Sequence, residues 1–445
     1  MPGAVADSAI YGGLFGDAEV ARLFTDAAEV RAMLLVEGAL ARVQGGLGLI
    51  PAEAGAYIDR ASREVQVDPA ALAAETARNG VPVPGLLAAF RKEAGAPEMM
   101  RWLHWGATSQ DIVDTALALR LRRVLEIWAA RLDGLVAGLG VLAETHADLA
   151  MAARTYGQGA VPTTFGAVVA GWGRPLLRHR ARLEAVRADV LKVSLSGAAG
   201  TLAAMGGRGP EVRAGLAEAL GLADPGAGWH GERDGMAALA GWMAGLTATL
   251  AKMGEDLLLL TQTGISEIRI EGAGGSSTMP QKQNPVGPSA LVALSRQVMA
   301  LAGLMTGAGA HRQQRDGAAW FTEWLTLPQL CISTGRALAL AGDLAGRLRP
   351  DPAAMARGLD QDAGTIWAEA LTFALAGTMP RPEAEAKVKA LVAEALAQGA
   401  DLRRLAARDW PGLDLAAMEA GGLGQAPAEA RAFAAEAPRE TPPRP

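Results

Sequence analysis

From Trp172 to Val193 the core-type positions recur at strictly alternating intervals of four and three: Trp172, Leu176, His179, Leu183, Val186, Val190, Val193. The same alternation runs through Met236, Leu239, Met243, Leu246, Leu250, Met253, Leu257 and Leu260. A further stripe, Leu117, Leu121, Val124, Trp128, Leu132, Leu135, Leu139 and Leu142, slips once. Such spacing puts every marked side chain on one helical face and makes that face a seam for a nearly parallel neighbour. Each of these helices is expected to run roughly 25 to 35 residues, well beyond the ordinary globular helix. A fourth is expected from near Pro288, carrying Leu291, Leu294, Val298, Leu301 and Met305. No alternating strand pattern competes with them. The fold class read from this pattern is all-α, built on a central long-helix bundle.

The flanks read differently. Short helices over 29–43, 51–61 and 69–76 are separated by Gly and Pro signals. Past residue 347, Arg349-Pro350-Asp351-Pro352 breaks the bundle, and shorter helices follow over 364–376, over 382–398 and near Leu413. Three helical domains are therefore expected: an N-terminal one (1–104), the long-helix bundle (105–347) and a C-terminal one (348–445) with a Pro-rich disordered tail. The apolar faces exceed what a single bundle of this size needs to bury, which points to self-association.

Composition narrows the function classes. Forty-two basic residues against 47 acidic ones leave a net charge of −5, without the basic footprint of a nucleic-acid binder. The single cysteine, Cys331, sits in the apolar run Leu330-Cys331-Ile332 and reads as a buried structural thiol in a reducing compartment. Met-Pro-Gly-Ala-Val-Ala-Asp at the start has no signal-peptide character. Residues 235–251 carry no charge, but they are short for a membrane span and suit a buried helix better. A soluble cytoplasmic protein with neither membrane nor nucleic-acid partner is expected.

Three polar clusters interrupt the apolar helices. The first is His104-Trp105-Gly106-Ala107-Thr108-Ser109-Gln110-Asp111, a capping-box start with Asp in the place of Glu. It puts an imidazole beside free backbone N–H groups that favour anions. The second, Arg154-Thr155-Tyr156-Gly157-Gln158-Gly159-Ala160-Val161-Pro162-Thr163-Thr164, is rich in hydroxyl and amide groups. Each also reads as no more than a capped turn. The third runs from Gly272 to Pro288, where glycines lead into Ser276 and Ser277, and Lys282 and Asn284 sit between Pro280 and Pro285. Such a segment suits a lid that orders on a small molecule; a long surface turn is the alternative. His311-Arg312-Gln313-Gln314-Arg315 adds cationic groups further on.

Together these stretches resemble the fumarase/aspartase superfamily, whose members make or break bonds β to a carboxylate. Gly275-Ser276-Ser277-Thr278-Met279-Pro280-Gln281-Lys282-Gln283-Asn284-Pro285 fills every fixed position of its signature G-S-S-x-M-P-x-K-x-N-P. Within the superfamily, the chain is most similar to the bacterial 3-carboxy-cis,cis-muconate cycloisomerases. That likeness rests on Leu14-Phe15-Gly16-Asp17, Val36-Glu37-Gly38-Ala39-Leu40-Ala41-Arg42, the His104–Asp111 stretch and Trp320-Phe321-Thr322-Glu323-Trp324. The resemblance implies a homotetramer with a multi-helix core, active sites shared between subunits, a small polycarboxylate substrate, and no metal or organic cofactor. It implies conversion of 3-carboxy-cis,cis-muconate to 4-carboxymuconolactone in aromatic degradation, with Ser276, His104 and Lys282 catalytic. Thr108, Ser109, Gln158, Ser277, Asn284, Arg315, Thr155 and Tyr156 are the implied substrate-binding residues. Two departures stand out. Tyr156 occupies the place of a histidine usual in the fumarate-forming lyases, and Gln313-Gln314 precedes Arg315 where His-Glu is common. A fumarate-releasing lyase of the adenylosuccinate type, or a catalytically silent structural protein on the same scaffold, are the competing readings. Light scattering at micromolar concentration is expected to give about four subunits; a fully active monomer would end the shared-site expectation.

Overall fold

The computed structural model describes residues 5–275, 279 and 282–438. Among them, six helices exceed twenty residues: α1 (Asp26–Gly46), α2 (Ser109–Thr145), α3 (Phe165–Val190), α4 (Asp234–Leu260), α5 (Val286–Ala308) and α6 (Gly317–Arg347). All seven marked positions from Trp172 to Val193 and all eight from Met236 to Leu260 are buried. In the slipping stripe the middle members, Leu121 to Leu139, are buried, while Leu117 and Leu142 at its ends are half-buried. The seam alternation therefore marks the packed faces correctly. α6 escaped the sequence reading because polar residues occupy its buried face: Glu323, Thr326 and Thr334 are packed there beside Trp320, Leu327 and Leu330. Cys331, on the same face, is fully buried, and burial pushes its thiol well up.

Two compact units form, neither continuous in sequence. The first comprises Met1–Ala130, His179–Ala248 and Leu294–Ala337; the second comprises Arg131–Arg178, Thr249–Ala293 and Leu338–Pro445. The expected N-terminal segment falls within the first unit and the C-terminal one within the second, while residues 105–347 contribute to both. In the first unit, α1 buries Met33, Leu34, Val36 and Leu40 against Ile58, Leu86, Phe90 and Met100. Trp128 of α2 stacks on Trp242 of α4, with ring centroids 5.7 Å apart. The second unit has its own core around Trp367, Leu371, Val388, Leu391 and Leu402.

The second polar cluster is not a capped turn. It forms an antiparallel hairpin, β1 (Ala150–Thr155) with β2 (Gln158–Thr164), in which Thr155 pairs with Gln158. The two turn residues, Tyr156 and Gly157, both have positive φ, 53° and 75°, as a two-residue hairpin turn with the right-handed strand twist requires. Next to the turn, the two terminal guanidinium nitrogens Nη1 and Nη2 of Arg154 donate to Glu267, each at 2.8 Å. Glu267 is fully buried and Arg154 largely so. A side chain at Gly358 would come within 2.6 Å of the Glu267 carboxylate, so only glycine leaves room for this pair. Glu267→Ala is expected to destabilise the protein by about 3 kcal/mol, toward the lower end for breaking a buried pair because Arg154 keeps some solvent. Urea unfolding measures it; a change under about 0.5 kcal/mol would show that the pair does not hold the hairpin.

Candidate active site

The first cluster is organised by a helix start. Asp111, in the first turn of α2, reaches back so that the backbone N–H of Thr108 donates to its Oδ2 at 3.0 Å. This is the carboxylate half of a capping box. Asp111 is fully buried and collects three further donors. The backbone N–H groups of Ser196 and Gly197 donate to it at 2.8 and 3.0 Å, and His230 Nε2 lies 2.8 Å from Oδ1. With Nε2–H given to Asp111, His230 presents Nδ1 as an acceptor, and Nη2 of Arg315 lies 3.5 Å from it. Arg315 also donates through Nε to Gln110 Oε1 at 2.8 Å and through Nη2 to the carbonyl of Ala198 at 3.2 Å. Its Nη1 takes no partner among the described residues, and the side chain is exposed. The result is a guanidinium aimed from two sides, beside the N-terminal end of a long helix. By charge and geometry such an arrangement suits an anion.

A layer of charge lies beneath it. Arg233 is buried between two carboxylates: Nη1 donates to Asp114 at 2.7 Å and Nε to Glu323 at 2.8 Å. Its guanidinium lies 4.6 Å from the ring of Trp229, and Trp320 Nε1 donates to Asp114 at 3.3 Å. One cation serves two carboxylates. Burial therefore raises the Glu323 carboxyl, with Asp114 adding to the rise although Arg233 opposes it. Gln110 ties this layer to Arg315, since its amide nitrogen donates to Asp114 at 3.2 Å and to the carbonyl of His230 at 3.1 Å. A cavity of about 290 Å³ adjoins the group, lined by Gly200, Gly228, His230, Gly231, Gln313 and Gln314. The Gln313-Gln314 departure thus faces that cavity.

His104 sits in the turn just before α2. Its Nδ1 lies 2.6 Å from Oε1 of Glu37, a fully buried carboxylate on α1. The backbone of His104 has φ +67°, a left-handed conformation that costs a residue with a Cβ about 1–2 kcal/mol. The other Glu37 oxygen is buried with no hydrogen-bond partner among the described residues. Burial alone would lower the histidine pKa; the charge and hydrogen bond of Glu37, helped by Asp111 and opposed by Arg91, outweigh it and raise the value above 6.5. The stabilisation from this pair is therefore complete below about 6.5 and is lost as pH rises through the raised value.

The expected residues fall into two sets. His104, Thr108, Ser109 and Arg315 lie in the first unit, with Thr108 and Ser109 half-buried at the helix start. Thr155, Tyr156 and Gln158 come together at the turn of the second unit's hairpin, all exposed, Tyr156 completely so. Lys282 and Asn284 belong to the glycine-rich loop, where Gly274 pairs with Asn284 and Gly275 with Gln283. The backbone N–H of Lys282 donates to the carbonyl of Met279 at 3.0 Å, and its side chain is exposed. No hydrogen bond among the described residues joins the hairpin's side chains to those of the loop. Ser276 and Ser277 lie outside the described residues. The loop base is anchored: Arg347 Nε donates to the carbonyl of Glu271 at 2.6 Å, and Arg349 pairs with the Glu271 carboxylate at 2.7 Å.

Sequence reasoning passed over His230, Arg233 and the role of Glu37. A signal for the first two was present. Trp229-His230-Gly231-Glu232-Arg233-Asp234 is a polar run at the start of α4, in a chain with only five histidines. Glu37 has no such signal, because a single acid on a helix reads as solvent-facing.

Comparison with known proteins places the chain. A family model described as "Lyase" matches residues 17–300. The 3-carboxy-cis,cis-muconate cycloisomerase of Bradyrhizobium diazoefficiens is 39% identical over 86% of this chain and 86% of its own length. That of Pseudomonas aeruginosa is 38% identical over 88% and 87%. The crystal structure of the 3-carboxy-cis,cis-muconate lactonizing enzyme from Pseudomonas putida superposes with a TM-score of 0.90 at 34% identity, covering 96% of this chain and 99% of the other. With its long packed helices and intact signature segment, the chain belongs to the fumarase/aspartase superfamily of lyases.

Proposed function

We propose that the protein is a 3-carboxy-cis,cis-muconate cycloisomerase, closing its tricarboxylate substrate to 4-carboxymuconolactone. The observation that carries this reading is Arg315, a guanidinium oriented by Gln110, Ala198 and His230 at the N-terminal end of α2. It is built to take a carboxylate. Full-length similarity to enzymes of that name supports the choice of substrate.

In the reaction, one carboxylate oxygen of the substrate forms a bond to a carbon of the conjugated diene. The π electrons move to the neighbouring α-carbon and spread into its carboxylate as an enediolate, and a proton then adds at that carbon. Charge accumulates at one end of the substrate, so a fixed cation and N–H donors are what lower the barrier. Lys282 and Asn284 take that role. Thr108, Ser109, Arg315, Thr155, Tyr156, Gln158 and Ser277 hold the remaining carboxylates. Ser276, the first serine of the signature pair, supplies the proton; the resemblance of the signature supports this assignment.

The protein acts as a homotetramer with sites shared between subunits. Two features support this: the hairpin turn carries its polar groups wholly into solvent, and α5 exposes Met299 and Leu304 although its opposite face is buried. That helix is apolar and long enough to cross a membrane by length and composition, with 44% of its most apolar window buried. Burying its exposed side against other copies fits a bundle helix better. The chain is a soluble cytoplasmic enzyme in this reading, with its reduced and buried Cys331 in keeping.

Supplied with 3-carboxy-cis,cis-muconate, the protein is expected to form the lactone and to release no fumarate from adenylosuccinate assayed alongside. Faster turnover of adenylosuccinate would overturn the reading. Ser276→Ala is expected to lower kcat by about two to four orders of magnitude with KM little changed, and Lys282→Ala to worsen both. Ser277→Ala, which removes a carboxylate contact but no proton donor, is the comparison for proton transfer and is expected to raise KM more than it lowers kcat; near-normal turnover by Ser276→Ala would remove that serine from the chemistry.

A further inference from the structure

We propose that Glu37 is a positioning residue for the reaction, holding the His104 ring by Nδ1 so that Nε2–H serves as a charged donor to a substrate carboxylate. The proposal rests on the functional reading above and deepens it. Glu37 lies on α1 among Met33, Leu34, Val36, Leu40 and Ala41, all buried. A structural carboxylate in such surroundings would have both oxygens satisfied. Here one oxygen takes the imidazole at 2.6 Å and the other has no hydrogen-bond partner among the described residues. The fold gains little from this arrangement that an apolar residue would not supply better. His104, for its part, adopts a left-handed backbone that brings its ring to that carboxylate. Strain and an unmatched buried acceptor at one contact mark a group kept for what it does to its partner.

The consequence for His104 follows from its neighbours. Nδ1–H is occupied, so Nε2 is the ring nitrogen left for a ligand. Three charged groups act on the ring: Glu37 from α1 in direct contact, Asp111 from α2 and Arg91 from the Val83–Ala94 helix. Asp111 already accepts four N–H donors. Glu37 therefore does most to keep the imidazole protonated, and an imidazolium binds a carboxylate more strongly than a neutral ring does. The proton for carbon stays with Ser276; His104 binds.

The test uses the full-length enzyme with Glu37→Gln, which keeps size and removes charge, and Glu37→Asp, which keeps charge at shorter reach. The His104 ring is followed by nitrogen-detected NMR titration without substrate, its signals identified by their loss in His104→Gln. In the wild type, His104 is expected to stay protonated above the ordinary histidine value. Glu37→Gln should lower its pKa by about one unit or more, with Glu37→Asp between. In kinetics on 3-carboxy-cis,cis-muconate, the alkaline limb of kcat/KM should move to lower pH by the same amount. Above both pKa values the loss is about tenfold per unit, carried mainly by KM. Coincident His104 titrations in wild type and Glu37→Gln would overturn the proposal, as would a loss of activity equal at every pH. If Glu37→Gln does not fold, the wild-type titration still decides, since a His104 that titrates at or below about 6.5 refutes it. A protein inert toward the tricarboxylate but showing the NMR shift would sink the functional reading and leave the Glu37–His104 couple standing.

Discussion

The carboxylate of Asp111 is the contact on which the rest of the first unit's site depends. It receives the backbone N–H of Thr108, those of Ser196 and Gly197, and Nε2 of His230. Only an ionised carboxylate has acceptor sites for four donors at once; an asparagine would turn an N–H toward one of them. Through these bonds one side chain sets the start of α2, the path of the loop at 196–197 and the tautomer of an imidazole. Arg315 inherits its direction from all three. Its partners are Gln110 in the first turn of α2, Ala198 on the loop and His230 itself.

Buried charge recurs through both units with different degrees of completion. Arg154 and Glu267 form a matched, bidentate pair, and glycine at 358 is required beside it. Arg233 faces two carboxylates, so the cluster is one negative charge in excess, and the Glu323 carboxyl rises in response to burial. Among the described residues, Glu37 has a single histidine for a partner. Matched pairs of this kind hold a backbone in place. Mismatched ones shift the protonation of a neighbour, and the two mismatched clusters both lie in the unit that carries Arg315 and His104.

The second unit presents its polar groups outward from anchored bases. Arg154 clamps the hairpin below its turn, and Arg347 and Arg349 hold Glu271 below the glycine-rich loop. Thr155, Tyr156, Gln158 and Lys282 are thereby offered to solvent on supports that are themselves fixed. A surface so arranged suits a ligand or a second protein copy, and in the proposed function it meets both.

What the sequence determined by itself was whatever depends on local periodicity and unbroken motifs. The seam from Met236 to Leu260 predicts its own burial, because a 3–4 alternation leaves a helix only one apolar face. Asp111 behind Thr108 predicts a capped helix start for a similarly local reason. The signature at 275–285 is contiguous, so superfamily membership was legible before any coordinate. Other features belong to the tertiary structure. α6 hides its seam by burying Glu323 and Thr334, and the charge of Glu323 is tolerable there because Arg233, 90 positions away, meets it. Tyr156 was legible as a departure from the superfamily pattern, but its place at an exposed hairpin turn depends on the register of strands that show no clear alternation. Glu37 and His104 stand 67 residues apart; His104 was legible as a candidate, but nothing in the sequence pairs it with an acid on a distant helix. Packing α1 against the turn before α2 removes water from between them, and that removal gives the pair its chemistry.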